Sequence, residues 1–224
     1  MAVLRDGAIV TSKKHEDNKD YSAWLLPAVN QTLSEAEVKL EQVDLFAVAT
    51  GPGSFTGLRV GLTTVKAWAE VYRKPVVGVS RLEAMARSQR PVPGLVAACY
   101  DAQRGQLFAA LYRHRLGRGE RVREEFVLTP EEFVERVGAE AGEEAVTWIT
   151  LDPDLINFVE ALKPRVARGD RVLLCTPELA STIGVLAEER AARAEFSDPL
   201  NLDANYVRRP DAEILWKEPS ARVR

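Results

Sequence analysis

The sequence is poor in the residues that build most metal and nucleophilic sites. Its 224 residues include two histidines, His15 and His114, and two cysteines, Cys99 and Cys175. A zinc or iron site needs a cluster of such ligands at matched spacing, and neither histidine has a second histidine at helical spacing. Two cysteines far apart in sequence form no disulfide framework and fit a reducing compartment. We therefore expect no metal and no cofactor.

The sequence also lacks a strong charge of one sign and a long apolar run. A net charge of −3 gives no general attraction to nucleic acid or to an anionic membrane. No apolar segment approaches the length of a membrane span, and the N-terminus has no signal-peptide core, so we expect a cytoplasmic protein. Basic residues cluster at positions 113–123 and 208–209. This pattern fits a solvated hairpin, or a local patch that contacts phosphates.

The glycine-rich run ATGPGSFTGLRVG at positions 49–61 is the most informative local feature. It lies between an apolar segment, residues 43–49, and a helix-compatible stretch, residues 58–72. A strand, a turn and a helix in that order place several backbone N–H groups at the N-terminus of the helix, where the helix dipole favours an anion. The run has neither the lysine of a P-loop nor the spacing of a dinucleotide fingerprint. Two interpretations stay open: a tight turn capped by Ser54 or Thr56, or an anion or nucleotide loop formed by Gly51, Gly53, Ser54, Thr56 and Gly57.

The helix after this loop has two apolar stripes. One contains Leu58, Leu62, Val65, Ala69 and Tyr72; the other contains Val60, Thr64, Trp68 and Val71. A helix that is apolar on two faces is buried on two sides. One face would cover the chain's own sheet, whereas the other requires a second layer of the same chain or a partner protein.

Local signals predict the order of elements in the first half. Asp6-Gly7 predicts a hairpin turn, a helix begins near Ser22 with a kink at Pro27, and residues 34–37 form a capping box that predicts a further short helix. A second strand at residues 76–79 and a helix capped by Ser80 follow. The run PVPG at residues 91–94 marks the predicted boundary between a first domain, residues 1–93, and a second, residues 94–224.

The second half is predicted to begin with antiparallel strands. Residues 95–100 and 106–112 are strand-like around a turn at Arg104-Gly105, and a third strand is expected within residues 121–128. Thr129 is the predicted N-cap of a helix that has Pro130 in its first turn. Strands at 146–151 and 171–175 and a helix at 183–194 complete the α/β pattern.

Few residues could perform catalysis. Ser22 and Ser54 have no evident histidine base, and Cys99 lies in an apolar strand. Asp101 and Glu83 would form a paired-carboxylate site only if the fold joined them. Asp101 is more simply a turn residue, with a contact to Arg104.

Several stretches together resemble one family. The run at 50–61, its continuations at 63–67 and 75–84, and the stretches at 101–112 and 206–213 are similar to the bacterial TsaB (YeaZ) family. The resemblance implies an α/β protein with the two-lobed fold of actin, the sugar kinases and the Hsp70 ATPases. It also implies that the chain lacks the family's first strand and its aspartate, which would leave two strands with unpaired backbone groups.

The resemblance implies a function through a partner. TsaB-like proteins support TsaD, which places threonylcarbamoyl on N6 of adenosine 37 in tRNAs that read ANN codons, with the ATPase TsaE as a further partner. This chain has no counterpart of the His-x-x-x-His pair of TsaD, so we expect a non-catalytic scaffold that meets tRNA only through the complex. The predicted interface with TsaD, or with a second copy in a homodimer, contains Trp24, Leu25, Leu58, Gly61, Leu62, Val65, Trp68 and Ala69. The alternatives are an independent ATPase or phosphotransferase that uses the loop, and then a peptidase.

Overall fold

The chain begins with the predicted hairpin. The computed structural model describes residues 1–15, 20–88, 93–115, 118–152, 154 and 160–207. Strands β1 (Ala2–Arg5) and β2 (Ala8–Ser12) pair antiparallel. Asp6 and Gly7 between them have φ angles of 51° and 75°, which is the left-handed pair that a two-residue hairpin turn requires. The turn prediction is confirmed.

The first helix contains Pro27, and its C-terminus differs from the prediction. Helix α1 (Tyr21–Glu35) continues through Pro27, which lies in its second turn. The capping-box pattern at 34–37 begins no helix, and that prediction is wrong. Ala36 N–H bonds to Thr32 O and Glu37 adopts a φ of 54°, so these residues end α1 instead. A 3-10 turn, Leu40–Gln42, follows.

A strand, a helix and a second strand follow in the predicted order, and the helix begins three residues before its predicted start. Strand β3 (Phe46–Gly51) leads through the glycine-rich loop into α2 (Phe55–Tyr72), and β4 (Val76–Ser80) pairs parallel with β3. Helix α2 packs against this pair, whose apolar sequence follows from burial of both faces. Ser80 then caps α3 (Arg81–Arg87) by accepting a hydrogen bond from Glu83 N at 3.2 Å.

The second half is built on a mixed six-stranded sheet. Strands β5 (Gly94–Asp101) and β6 (Leu107–Arg115) pair antiparallel, and β7 (Arg118–Arg121) and β8 (Phe126–Leu128) both pair with β6. Two short strands therefore occur where one third strand was predicted. On the other side of β5, β9 (Val146–Thr150) and β10 (Arg171–Leu174) are parallel to it.

The described part of the second half also contains the helices α4, α5 and α6. Thr129 accepts from Glu132 N at 3.3 Å and caps α4 (Pro130–Ala141), as predicted. A short helix α5 (Lys163–Ala167) precedes β10. The last helix, α6 (Ala180–Ala191), begins and ends three residues before its predicted bounds.

Strand β5 separates two cores by the alternation of its side chains. Val96, Ala98 and Tyr100 join α3 and α6 in one core. Leu95, Ala97 and Cys99 point to the opposite face and pack towards α4. A third core lies between α2 and the β3–β4 pair and contains Phe46, Val48, Leu62, Val65, Ala69, Val76 and Leu202.

The core between β5 and α6 crosses the predicted domain boundary. It contains Val77 and Val79 of β4 together with residues of β5, β6 and α6. Two residues of the PVPG run, Pro91 and Val92, lie outside the described residues. A division at residue 93, and the absence of a first strand, stay predictions. Within the described ranges no helix is long and apolar enough to cross a membrane.

Candidate functional site

The glycine-rich loop is a capped turn at the start of α2. Ser54 Oγ accepts a hydrogen bond from Gly57 N at 3.4 Å, so Ser54 rather than Thr56 is the cap. The Gly51–Pro52 peptide is cis, and Gly51 has a φ of +108°, which residues with a side chain rarely adopt. The turn interpretation of the loop is thus confirmed, while an anion or nucleotide role stays a prediction.

Groups of the chain itself pack against the loop. A Cβ atom on Gly51 would lie 3.2 Å from Asn205 O, and one on Gly53 would lie 3.7 Å from an Arg81 guanidinium nitrogen. Tyr100 OH donates a hydrogen bond to Pro52 O. The backbone of the loop is therefore in contact with the second half of the chain and with the segment after α6.

Arg81 and Tyr100 are stacked beneath the loop. The Arg81 guanidinium carbon lies 4.3 Å from the centroid of the Tyr100 ring. Burial raises the pKa of Tyr100 well above its ordinary value of 10.0, and the nearby Arg81 charge lowers it by less. Tyr100 is therefore protonated at neutral pH and remains a hydrogen-bond donor to the loop.

A buried carboxylate lies next to this pair. The Glu125 side chain is 1% exposed and accepts hydrogen bonds from Ser80 Oγ, from Asn205 Nδ2 at 2.6 Å and from Tyr112 OH at 3.5 Å. Arg121 lies 3.8 Å from the carboxylate. Burial raises the pKa of Glu125 above its ordinary value, and these partners oppose that shift only in part. Sequence reasoning missed this cluster because its members lie far apart in the chain.

The other candidate acids have separate partners. Glu83 accepts two hydrogen bonds from Arg190 Nη2, at 2.6 and 2.7 Å. Asp101 accepts from Gln103 N at 2.7 Å, which is a turn contact. The structure therefore gives each of the two carboxylates a structural role.

The surroundings of His15, His114 and Cys99 indicate that these residues contribute to packing. His15 stacks on Tyr21 with ring centroids 4.1 Å apart, and His114 is buried in β6. Burial raises the pKa of Cys99 to about 12, which makes it a poor nucleophile. In the part of the chain that the structure describes, no three His, Cys, Asp or Glu residues are grouped so that they could hold a metal ion.

The predicted interface residues fall into two groups. Leu62, Val65 and Ala69 are buried in the third core, against the β3–β4 pair, and Leu58 packs at the edge of that core. The remaining members, Trp24, Leu25, Gly61 and Trp68, are half-buried. The first apolar stripe of α2 thus covers the chain's own sheet, as predicted.

Among the described residues, the exposed side of α2 lies opposite this stripe. Thr56, Thr63, Ala67 and Val71 are exposed, and Val71 is 71% accessible. Tyr21 of α1 lies against Gly57, and Leu26 further along α1 is 53% exposed. We call the exposed side of α1 and α2 the outer face. Sequence reasoning found part of it, because Val71 belongs to the second apolar stripe.

The fold and the loop are those of a class of proteins that includes TsaD and YeaZ. Residues 9–154 match the family model of TsaD, described as a tRNA N6-adenosine threonylcarbamoyltransferase. The structure is similar to that of YeaZ from Pseudomonas aeruginosa, with a TM-score of 0.69, 26% identity and coverage of 92% of each chain. The fold is the actin-like α/β fold.

Comparison with individual relatives in that class identifies the family to which the chain belongs. The chain is 30% identical over 209 residues to the tRNA threonylcarbamoyladenosine biosynthesis protein TsaB of Escherichia coli, covering 89% of this chain and 84% of that protein. It is 34% identical to TsaB of Bacillus subtilis over 122 residues, or 54% of this chain and 53% of that protein. The chain belongs to the TsaB family.

Proposed function

We propose that this chain is a non-catalytic subunit of the machinery that makes threonylcarbamoyladenosine in tRNA. The names of the TsaB relatives place that family in this pathway, and the family model that matches here is that of the transferase TsaD. In this proposal TsaD performs the transfer to N6 of adenosine 37 in tRNAs that read ANN codons. The chain binds TsaD and meets tRNA only through the complex, in the cytoplasm. TsaE is a further partner.

The outer face of α1 and α2 is the observation that carries this proposal. Its members on α2 include Thr56, Thr63 and Ala67, whose small side chains let a partner helix approach closely. Leu26 and Val71 add exposed apolar area at its sides. Among the predicted interface residues, Trp24, Leu25, Gly61 and Trp68 are half-buried, whereas Leu62, Val65 and Ala69 are buried in the third core. The same face on a second copy provides a homodimer when TsaD is absent.

Two features support a non-catalytic role. The Gly51–Gly53 part of the loop is in contact with Asn205, Arg81 and Tyr100 of the same chain. The acids Glu83 and Asp101 are held by their own partners. An ATPase or phosphotransferase would instead need the loop to accept a phosphate, and Gly53→Asp would then abolish nucleotide hydrolysis.

A matched pair of arginine substitutions tests the docking surface. Ala67 is exposed on α2. Ala139 is exposed on α4, which packs on the face of the six-stranded sheet opposite to α3 and α6. Ala67→Arg places a long charged side chain on the outer face and is expected to weaken co-purification with TsaD by at least tenfold. Ala139→Arg is expected to leave it unchanged.

The outcomes separate the two functions. Equal loss of complex in both variants, or no complex with the unmodified folded chain, would contradict the proposal. In the second case, nucleotide hydrolysis that disappears in Gly53→Asp would establish the enzyme instead. Restoration of threonylcarbamoyladenosine in tRNA of cells that lack their own TsaB should follow the same order as complex formation.

A further inference from the structure

A segment after α6 returns across the first half of the chain. We call residues 197–206 the strap. Ser197 N donates to Val76 O at 2.8 Å, and Gly78 N donates to Ser197 Oγ at 3.0 Å. Leu202 is buried in the third core, and a Cβ atom on Gly78 would lie only 2.7 Å from its side chain. The strap is thus seated along β4, on a surface that only glycine at position 78 leaves open.

The strap also contacts α2. Lys66 Nζ donates to Leu202 O at 2.9 Å. Near the N-terminus of the helix, Arg59 Nε donates to Tyr206 OH at 3.0 Å, and the Tyr206 ring lies 5.3 Å from that of Phe55. Tyr206 begins the last stretch of the family resemblance, for which the sequence suggested no physical role. In the structure it packs on the first turn of α2.

Asn205 joins the strap to both halves of the chain. Its backbone N–H donates to Thr50 O at 2.7 Å, at the end of β3. Its side-chain Nδ2 donates to Glu125 Oε2 at 2.6 Å, between β7 and β8. Its carbonyl oxygen lies against Gly51. One residue therefore holds the glycine-rich loop on one side and a buried carboxylate of the second half on the other.

We propose that Asn205 and Glu125 form a latch that keeps the strap closed over the glycine-rich loop and fixes the loop against the second half. The inference rests on these contacts alone and is independent of the proposed function. A hydrogen bond to a buried charged group is among the stronger contacts in a protein, because the acceptor has no water to replace it. Opening this contact would weaken the attachment of the end of the strap, which the bond from Asn205 N to Thr50 O and the packing of Tyr206 on α2 would still hold.

Exchanging the two functional groups tests the latch. Asn205→Asp replaces the donor amide by a second carboxyl group 2.6 Å from Glu125 in an almost unchanged shape, so the bond can form only after one of the two acids binds a proton, which costs free energy at neutral pH. Glu125→Gln together with Asn205→Asp reverses the roles, since the glutamine amide can donate to the new aspartate while its oxygen still accepts from Ser80. Glu125→Gln alone is tolerated, because Asn205 can flip its amide.

Amide hydrogen exchange at neutral pH gives the readout. The backbone N–H of residue 205 is present in every variant, so it reports directly on the bond to Thr50 O. In Asn205→Asp its exchange, and that of residues 53–58, is expected to accelerate by about tenfold or more, and the double variant should return to the unmodified rate. Amides of β5 should not change, which serves as the control for the fold.

Two results would overturn the proposal. One is an unmodified exchange rate in Asn205→Asp, which would mean that the contact does not hold the strap. The other is a double variant that exchanges as fast as Asn205→Asp, which would mean that the pair is not coupled. Should Asn205→Asp unfold, Asn205→Ala removes only the side-chain bond and must show the same acceleration at residue 205.

Discussion

Leu62→Ala is expected to destabilise the chain without removing the proposed docking surface. Leu62 is 4% exposed and lies in the third core with Phe46, Val48 and Leu202. The change deletes three buried carbon atoms, each contributing about 0.8 kcal/mol, or about 2.4 kcal/mol in all. The cavity that remains adds to this cost, and we expect a loss of about 3 kcal/mol in the free energy of unfolding.

Thermal unfolding followed by circular dichroism measures this loss. For a chain of this size about 3 kcal/mol corresponds to a fall in Tm of roughly 6–12 °C. Thr63→Ala changes the next residue, which is exposed. It should alter stability by no more than about 0.5 kcal/mol and serves as the control.

Partner binding then separates stability from docking. Because Leu62 faces the β3–β4 pair, Leu62→Ala should still bind TsaD at temperatures where it is folded. If Tm decreased by less than about 2 °C, Leu62 would not be a core residue. Loss of the complex in folded Leu62→Ala, at an unchanged Tm, would show that the buried stripe rather than the outer face makes the contact.

Two further changes have expected outcomes. Because the pKa of Glu125 is raised in the folded chain, its stabilising contribution is full below the ordinary carboxyl pKa and is lost as pH rises through the folded value. In urea titrations between these two pKa values, Glu125→Gln should therefore become increasingly stable relative to the unmodified chain as pH rises. A difference in unfolding free energy that does not change with pH would contradict this. Thr129→Ala removes the cap of α4 and should lower the free energy of unfolding by about 1 kcal/mol in the same assay. Thr129→Ser keeps the hydroxyl and should lower it by less than half of that. Equal losses in the two variants would show that the hydroxyl is not the cause.

Local chemistry allowed most elements of the fold to be predicted. Asp6-Gly7, Ser54, Ser80 and Thr129 act through hydrogen bonds and φ angles within a few residues, so the turns and caps that they form are visible in sequence. The capping-box pattern at 34–37 failed for a related reason. The same residue types end a helix equally well when the next residue adopts a positive φ, and sequence does not distinguish the two cases.

The candidate site was only partly predictable. The loop and the two stripes of α2 are periodic or contiguous, and they were found. The cluster of Ser80, Tyr112, Glu125 and Asn205 joins residues up to 125 positions apart through a strap that contains no helix and no strand. Sequence periodicity carries no information on such contacts, because they depend on where the chain returns after its last helix.

Helix α2 connects these features, and its surfaces explain why one apolar helix can serve several purposes. Its buried stripe supplies stability through Leu62, Val65 and Ala69, and its exposed side carries Thr63 and Ala67, where we propose that a partner binds. The strap lies along a third side through Arg59, Lys66 and Tyr206. A partner helix on the outer face would therefore lie beside the strap without displacing the core. Neither Asn205 nor Glu125 belongs to the outer face, so Asn205→Asp should affect binding to TsaD less than Ala67→Arg does.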